Sequence, residues 1–413
     1  MTHSFAADHA TPQPGTSSEP SLQHSKERSA AGTAVGAFGM VAVVGAFAFL
    51  VHVLAQHSPR ISPGYAGWPH DAVDTPLAAL RWFLGDMTEP LFCKSDLAAL
   101  GLLTGSVVAW WACRRGATWA GSLSYGTGLW PWVLVSASLS LMLSNLVFGW
   151  TLDAGWQPTF VPFVCVAPAL VLMYGAGWRT CVTGAVLGAA TTTPLALLFI
   201  PTISEPLGLP AVVGSVLAMS VGAVISFLIA RRMPWLVLRE SRAATQPELP
   251  PSSLNRNFLG DAGWAARRVL KDFTETYFFA NELAAACLIL AAAAAFVLNP
   301  VLPSYGTGLL PHILFAQALT SAIGVTLWRG WYRDGGWAAT YASVVSVAPA
   351  AVLASGGSWT GMVGGAVLGA VLAPPLARAI SARLPAGFHS VIGNTAAMAV
   401  STAVALPVLG LLP

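Results

Sequence analysis

Apolar residues occur in long, nearly unbroken runs, and short polar stretches separate these runs. A helix needs roughly 17–25 apolar residues to cross a bilayer, and eleven runs come close to that length. They lie at about 33–56, 97–113, 128–149, 159–175, 180–200, 210–230, 283–299, 309–328, 338–355, 361–379 and 389–411. The strict alternation of polar and apolar residues that transmembrane strands require is absent. The pattern therefore predicts an all-α polytopic membrane protein with about eleven transmembrane helices.

The composition agrees with this class of protein. Only 9% of the 413 residues are charged and 55% are hydrophobic, with a mean hydropathy of +0.66. A soluble domain carries roughly 25% charged residues. The small net charge of +3 gives no indication of nucleic-acid binding. The five cysteines lack metal-ligand spacing, so we expect neither a metal site nor a cofactor.

The chain contains two related units. Residues 81–99, RWFLGDMTEPLFCKSDLAA, align without gaps with residues 267–285, RRVLKDFTETYFFANELAA. SYGTGLWP at Ser124 recurs as SYGTGLLP at Ser304, and the motifs DAGW, VAPA and GAVLGA recur later in the same order. This repetition predicts five parts. They are a disordered cytoplasmic tail at 1–32, an extra transmembrane helix at 33–56, a first repeat at 78–231, a polar cytoplasmic linker at 232–263 and a second repeat at 264–413.

Each repeat has an amphipathic lead-in helix and five predicted transmembrane helices. Because five is odd, the second repeat begins on the opposite side of the membrane and is inverted relative to the first. The positions of the arginines agree with this inversion, because basic loops stay in the cytoplasm. Arg114 and Arg115 follow the first helix of repeat 1, whereas the matching stretch at Asn299 has no basic residue. Conversely, Arg378 and Arg383 follow the fourth helix of repeat 2 and have no basic match. We expect inverted repeats, a cytoplasmic N-terminus and an external C-terminus.

Acidic residues recur in both repeats, although inversion would place the two copies on opposite faces of the membrane. Glu89 matches Glu275, and Asp96 matches Glu282. Residues that only set the topology would not recur in this way. Helical spacing places these acids, with the aspartate before each pair, on one helix face. They either bind a coupling ion, or pair with an arginine (Arg81 in repeat 1) and cap the next helix.

Prolines and threonines predict helix breaks at matching places. Pro168 and Pro349 lie inside predicted helices, where each removes a backbone hydrogen bond. Thr192 and Thr193 precede another proline that repeat 2 also has. Matching breaks in two inverted halves point to a central transport site. The alternative is a kink that neighbouring helices tolerate.

Polar residues that differ between the repeats are further candidates for the site. Asn394 replaces a serine of repeat 1, and His389 has no polar counterpart nearby. An asymmetric substrate would need such differences. The alternative is an interhelical hydrogen bond, which lone polar side chains in a membrane bundle often make.

The SYGTG segment joins the first and second predicted transmembrane helices of each repeat. It matches neither a phosphate-binding loop nor a dinucleotide fingerprint. Its glycines permit tight turns. The hydroxyls of Tyr125, Thr127, Tyr305 and Thr307 can satisfy exposed backbone groups or contact a substrate. The segment is therefore either a re-entrant turn or part of the translocation site.

Together these features favour a secondary transporter of a small polar or anionic solute, working by alternating access between the repeats, with H⁺ or Na⁺ as coupling ion. A passive channel and a lipid-handling protein, either a flippase or an intramembrane enzyme, are the alternatives. No catalytic motif is present, so we do not expect an enzyme. The expected partners are membrane lipid and the solute or ion, without nucleic acid, and a homodimer is one option. The Ala- and Arg-rich composition indicates a bacterial inner membrane.

Overall fold

Helices make up most of the part of the chain that the structure describes. The computed structural model describes residues 19–239, 258–333 and 336–411, with the backbone alone at 19–29 and 333. Within these ranges no strand occurs. The α-helices are α1 Glu19–His57, α2 Trp68–Asp74, α3 Pro76–Thr88, α4 Asp96–Arg114, α5 Trp130–Phe148, α6 Val166–Tyr174, α7 Trp178–Phe199, α8 Ala211–Ala230, α9 Phe258–Glu275, α10 Glu282–Leu298, α11 Leu310–Leu327, α12 Arg329–Arg333, α13 Tyr341–Val344, α14 Val347–Ala354, α15 Gly365–Ser381 and α16 Val391–Gly410.

Eight helical segments are long and apolar enough to cross a membrane. They are Ala30–His57, Asp96–Arg114, Trp130–Ala154, Trp178–Ser204, Ala211–Ala230, Leu310–Leu327, Thr360–Ser381 and Val391–Gly410. Three shorter apolar segments, Val161–Tyr174, Glu282–Leu298 and Tyr341–Ala354, coincide with the other predicted runs. The structure therefore supports an integral, multi-pass helical membrane protein. Helix α1 begins at Glu19, ahead of the predicted boundary at residue 33, while most of the predicted tail and the middle of the linker lie outside the described residues.

Two helical segments are broken at matching positions. The backbone leaves the helical region at Cys165, with φ −132° and ψ −99°, and at Ser346, with φ −141° and ψ −88°. Pro168 and Pro349 are each the third residue of the helix that follows. A missing N–H is tolerated there because the first turn of a helix has no internal acceptor for it. The predicted breaks therefore exist, but they precede the prolines.

The second pair of predicted breaks is wrong. Helix α7 continues through Pro194, and α15 continues through its two adjacent prolines. Thr192 Oγ1 donates a hydrogen bond of 2.7 Å to the carbonyl of Gly188, four residues earlier. Prolines are tolerated inside helices of membrane proteins because neighbouring helices pack around the freed backbone groups.

Helices that occupy aligned positions in the sequence pack on each other. Helix α4 packs on α10, and α8 packs on α16. A methyl group at Gly101 would lie 2.4 Å from Cβ of Ala291, and one at Gly105 would lie 2.7 Å from Cβ of Cys287. The backbones of α4 and α10 approach so closely because glycine carries no side chain, as is typical of helix pairs in membranes.

Candidate functional site

The first acidic cluster consists of Asp86, Glu89 and Lys94, which α3 and the loop before α4 bring together. At most 1% of each residue is exposed. Lys94 Nζ donates to one carboxylate oxygen of Asp86 and to one of Glu89. Two buried carboxylates therefore share a single ammonium group.

Neutral side chains donate hydrogen bonds to carboxylate oxygens of Asp86 and Glu89 that do not contact Lys94. The donors are Asn145 Nδ2 (3.0 Å) and Thr159 Oγ1 (2.7 Å) to Asp86, and Trp156 Nε1 to Glu89. The indole of Trp82 covers the lysine, whose Nζ lies 3.5 Å from the ring centroid. This arrangement provides the partners that buried charges require, because an unpartnered charge in a protein interior is strongly destabilising.

The second acidic cluster consists of Asp272, Glu275 and Arg268, all from α9 and all at least 98% buried. Arg268 Nη2 donates to Asp272 at 2.7 Å and also to Glu275. The neutral donors are Ser321 Oγ (2.6 Å) and Thr340 Oγ1 (3.0 Å) to Asp272, and Trp337 Nε1 (2.7 Å) to Glu275. The aligned threonine and tryptophan thus contact the aligned carboxylates in both clusters.

The loops beside the clusters have unusual backbone conformations. Within the described ranges, the non-glycine residues with positive φ are Phe92, Lys94, Ser124, Tyr125, Phe278, Ala280, Ser304 and Tyr305. These are four positions, each found twice in the alignment of the units. Ser124 N–H donates to Phe279 O at 2.8 Å, and Ser304 N–H donates to Cys93 O at 2.9 Å. Each SYGTG loop is therefore bonded to the acidic loop of the other unit, and strained backbone of this kind tends to occur at functional sites.

A cavity of about 520 Å³ is lined by residues from both of the aligned sequence segments. Aligned positions of both units line it, such as Met219 of α8 and Met398 of α16. Glu89, Trp156 and Tyr305 also line it. Their aligned counterparts, at positions 275, 337 and 125, do not. The cavity therefore reaches the first acidic cluster and not the second.

Aromatic rings surround the end of the cavity that contains Glu89. The ring centroid of Tyr305 lies 5.8 Å from that of Tyr65, 6.2 Å from that of Phe92 and 6.4 Å from that of Trp156. The interplanar angles are 86°, 90° and 90°, so all three contacts are edge-to-face. This geometry is favourable for aromatic pairs and fixes the rings around the carboxylate.

The environment of Glu89 changes its acidity. The residue begins the short 3₁₀ turn Glu89–Leu91, outside the candidate membrane-spanning helices. Burial raises the pKa of Glu89 to about 7, Lys94 opposes this increase, and Asp86 adds to it. Because burial disfavours the charged form, Glu89 changes its protonation state near neutral pH.

Asp96 and Glu282 lie apart from the two clusters. The predicted common helix face does not exist, because α3 ends at Thr88 and the chain turns before α4 begins. Arg81 Nε donates to Asp96 at 2.7 Å, and Arg267 Nε donates to Glu282 at 2.6 Å. The prediction that three acids share one face is therefore wrong, and the alternative, pairing with an arginine, is observed.

The residue before each of these acids caps the following helix. Ser95 Oγ accepts a hydrogen bond from the N–H of Ala98 at 3.4 Å. Asn281 Oδ1 accepts from the N–H groups of Leu283 and Ala284 at 3.1 and 3.0 Å. The predicted cap is thus one residue too late in the chain, since Ser and Asn are among the residues preferred at this position.

The SYGTG residues divide into two groups. Thr127 and Thr307 each donate a hydrogen bond, of 2.7 and 2.8 Å, to the carbonyl of the serine three residues earlier. They stabilise their own loops and do not line the cavity. Of the two tyrosines, only Tyr305 lines it.

The other predicted site residues lie outside the cavity lining, including Thr192 and the two prolines that follow helix breaks. Thr193 Oγ1 bonds at 2.9 Å with a serine hydroxyl of α5. Asn394 Nδ2 donates at 3.1 Å to the hydroxyl of Tyr341, which does line the cavity. His389 Nδ1 accepts from the backbone N–H two residues later at 3.0 Å. Asn394 is therefore one hydrogen bond away from the cavity.

Several residues of the site were missed by sequence reasoning. Trp156 belongs to the DAGW motif, and the recurrence of this tryptophan in the second copy of the motif could have identified it as a site residue. Lys94 also gave a signal, as a lysine between repeated acids at the start of an apolar helix. Tyr65 precedes the first unit and has no repeated partner, so nothing in the sequence indicates its position.

A comparison with known proteins finds no family model that matches the chain and no curated protein that resembles it. Inferences about function therefore depend on the geometry of the two clusters and the cavity.

Proposed function

We propose that the protein is a secondary transporter in which two inverted five-helix repeats alternate access to a central cavity. The observation that carries this proposal is that the cavity reaches only one of two equivalent, buried sites. The cavity reaches the first acidic cluster, while the second has the same acids and the same tryptophan and threonine donors but is closed off. In transporters built from inverted repeats the two repeats rock against each other around a central site, so that the cavity is open on one side at a time.

The contact between α4 and α10 supports inversion. The alignment of residues 81–99 with 267–285 makes Gly101 the counterpart of Cys287, and Gly105 the counterpart of Ala291. Gly101 contacts Ala291, and Gly105 contacts Cys287, so the contact is reciprocal. Positions early in one helix meet positions late in the other, which is the pattern of antiparallel helices about a two-fold axis across them. Such an axis lies in the membrane plane and inverts one repeat relative to the other.

We infer that three bulky residues, two of them in the loop that follows Glu275, close the route towards the second cluster. Phe163, Tyr277 and Phe279 are almost fully buried. Tyr277 is in ring contact with Phe163 at 6.0 Å and with Phe279 at 5.9 Å. Their aligned counterparts are the smaller Val344, Leu91 and Cys93, each next in the chain to a residue that lines the cavity.

The segment after α8 covers the matching entrance on the other side. Ala354, at the exposed end of α14, lines the cavity, and its counterpart in α6 is Met173. The backbone N–H of Arg239 donates to Met173 O at 3.0 Å, and Leu236 is buried nearby in the core. With a cytoplasmic N-terminus, the open entrance faces outside and the covered one faces the cytoplasm.

The two alternatives fit the site less well. A channel requires a continuous polar path, whereas this cavity is mainly apolar and ends at buried aromatic side chains. A lipid-handling protein needs basic groups that can bind lipid headgroups. Arg81 and Arg267 are each paired with an acid instead. The cavity also does not favour the anionic solute that we expected, because its charged lining group is a carboxylate.

Thiol labelling of the two entrances tests alternating access. Ala354→Cys and Met173→Cys would be introduced one at a time in a background where the exposed Cys113 and the partly exposed Cys287 are replaced by serine. Membrane-impermeant reagents applied at each face of proteoliposomes report which entrance is open. We expect rapid labelling at 354 and slow labelling at 173. An imposed pH gradient should shift the two rates in opposite directions, whereas rates that never respond to the gradient, or that respond together, contradict the proposal.

A further inference from the structure

The charged part of the cavity lining is negative. Among the described residues that line it, Glu89 is the acid, and Lys, Arg and His are absent. The remaining lining is apolar or aromatic, apart from hydroxyls such as those of Thr276 and Thr395. A lining of this kind suits a solute with a large apolar body and disfavours an anion, whose charge would lie beside a carboxylate.

The first acidic cluster lacks one positive charge. Asp86 and Glu89 are both buried, and Lys94 is the cation that contacts them. With both carboxylates ionised, the group carries one uncompensated negative charge in a region shielded from water. Either a proton on Glu89 or a cation in the cavity can neutralise it, and a buried charge strongly favours such compensation.

Besides the carboxylate of Glu89, the aromatic rings at this end of the cavity can recognise a cation. Trp156 and Tyr305 lie beside Glu89, and Tyr65 and Phe92 complete the group of rings. Aromatic faces attract ammonium groups, most strongly when both are desolvated. The hydroxyl oxygen of Tyr65 is buried and has no hydrogen-bond partner, which leaves it available to a ligand.

We propose that the cavity binds a hydrophobic organic cation, such as an aromatic or quaternary amine, whose positive charge replaces a proton at Glu89. The volume of about 520 Å³ lies within the range typical of sites for drug-sized molecules. Cation and proton exclude each other, because each supplies the one charge that the cluster lacks. If the protein transports by alternating access, as proposed above, this exclusion makes it an exchanger of organic cations for protons.

Binding can be tested on the purified full-length protein in detergent, without assuming transport. Tetraphenylphosphonium and tetraphenylborate have nearly the same shape and opposite charge, so their comparison isolates the role of charge. We expect saturable binding of the cation and none of the anion. Binding of the cation should weaken about tenfold for each pH unit below the Glu89 pKa, because one proton competes for the site. Binding above that pKa should be independent of pH.

Variants locate the effect. Glu89→Gln should abolish the pH dependence and most of the binding of tetraphenylphosphonium. Asp96→Asn, an acid-to-amide change outside the cavity, should leave both intact. Equal binding of the two ions, or a pH dependence that persists in Glu89→Gln, would overturn the binding proposal. If Glu89→Gln does not fold, the pH titration of the unmodified protein still decides the question. Charge-selective binding without any gradient-dependent labelling would instead reject transport and leave the binding site standing.

Discussion

The two acidic clusters contain the same carboxylates but place their cation at different points in the chain. In the first, Lys94 follows the two acids and Trp82 covers it. In the second, Arg268 occupies the position that aligns with Trp82, and Ala280 occupies the position that aligns with Lys94. The cation thus lies in the loop in one cluster and on the helix in the other. Among the described residues, each cluster has two carboxylates that contact a shared cation, although the identity of that cation differs.

This comparison gives the largest expected effect. Lys94→Ala leaves two buried carboxylates without a cation, and removal of one partner of a buried ion pair costs about 3–5 kcal/mol of stability. The double variant Trp82→Arg/Lys94→Ala transplants the arrangement of the second cluster into the first. We expect it to recover part of this loss, since an arginine there is four residues before Asp86, as Arg268 is before Asp272. Thermal unfolding in detergent measures both.

The matched control is Trp82→Leu/Lys94→Ala, which removes the same two side chains and adds no cation. If the arginine variant is no more stable than this control, the position of the cation matters and not merely its presence. The two clusters would then be equivalent in sequence, but their cations could not be exchanged between the two positions.

The loops that follow the acids differ in bulk, and this difference gives a smaller effect. Phe279→Cys places in the closed loop the residue that the open loop has at Cys93. Removing most of a buried aromatic ring costs about 3 kcal/mol and leaves a cavity. We expect a second path towards Glu275, seen by peptide mapping as faster labelling of the Met173→Cys thiol, measured separately from the new thiol at position 279. The reverse change, Cys93→Phe, should narrow the existing cavity and reduce binding of tetraphenylphosphonium.

A Phe279→Leu variant is the control, because it retains most of the volume of the side chain and should keep the route closed. Unchanged labelling at position 173 in Phe279→Cys would show that the aromatic side chains do not close this side. The segment around Leu236 and Arg239 would then be the barrier that remains.

The sequence predicted the helices well and the site only in part. The eleven apolar runs all fall on helices, because burial in lipid requires long apolar segments with internally bonded backbones. Glu89 and Tyr305 were found because they recur. The grouping of Asp96 with Glu89 failed, because Phe92 and Lys94 adopt left-handed backbone conformations that end the helical spacing. Phenylalanine and lysine are not residue types that predict such a turn. The ring contacts of Tyr65 depend on a loop that bonds to the end of α10 and to the segment between α10 and α11. Local sequence patterns carry no information about contacts so distant in the chain.

The smallest effects are expected at the arginine pairs that flank the clusters. Asp96→Asn and Glu282→Gln each break a partly exposed pair, and such pairs contribute about 0.2–1 kcal/mol. The Arg81–Asp96 pair has side chains 24% and 16% exposed, whereas Arg267 is 50% exposed, so Asp96→Asn should be the more costly change. Thermal unfolding at low and high salt measures both, and high salt should reduce the difference between each variant and the unmodified protein. Gradient-dependent labelling of the entrances should survive in both variants, because their acids lie outside the cavity. Loss of that response in either variant would indicate that Asp96 or Glu282 takes part in ion coupling, and would contradict the proposal that Glu89 is the group that exchanges a proton for the solute.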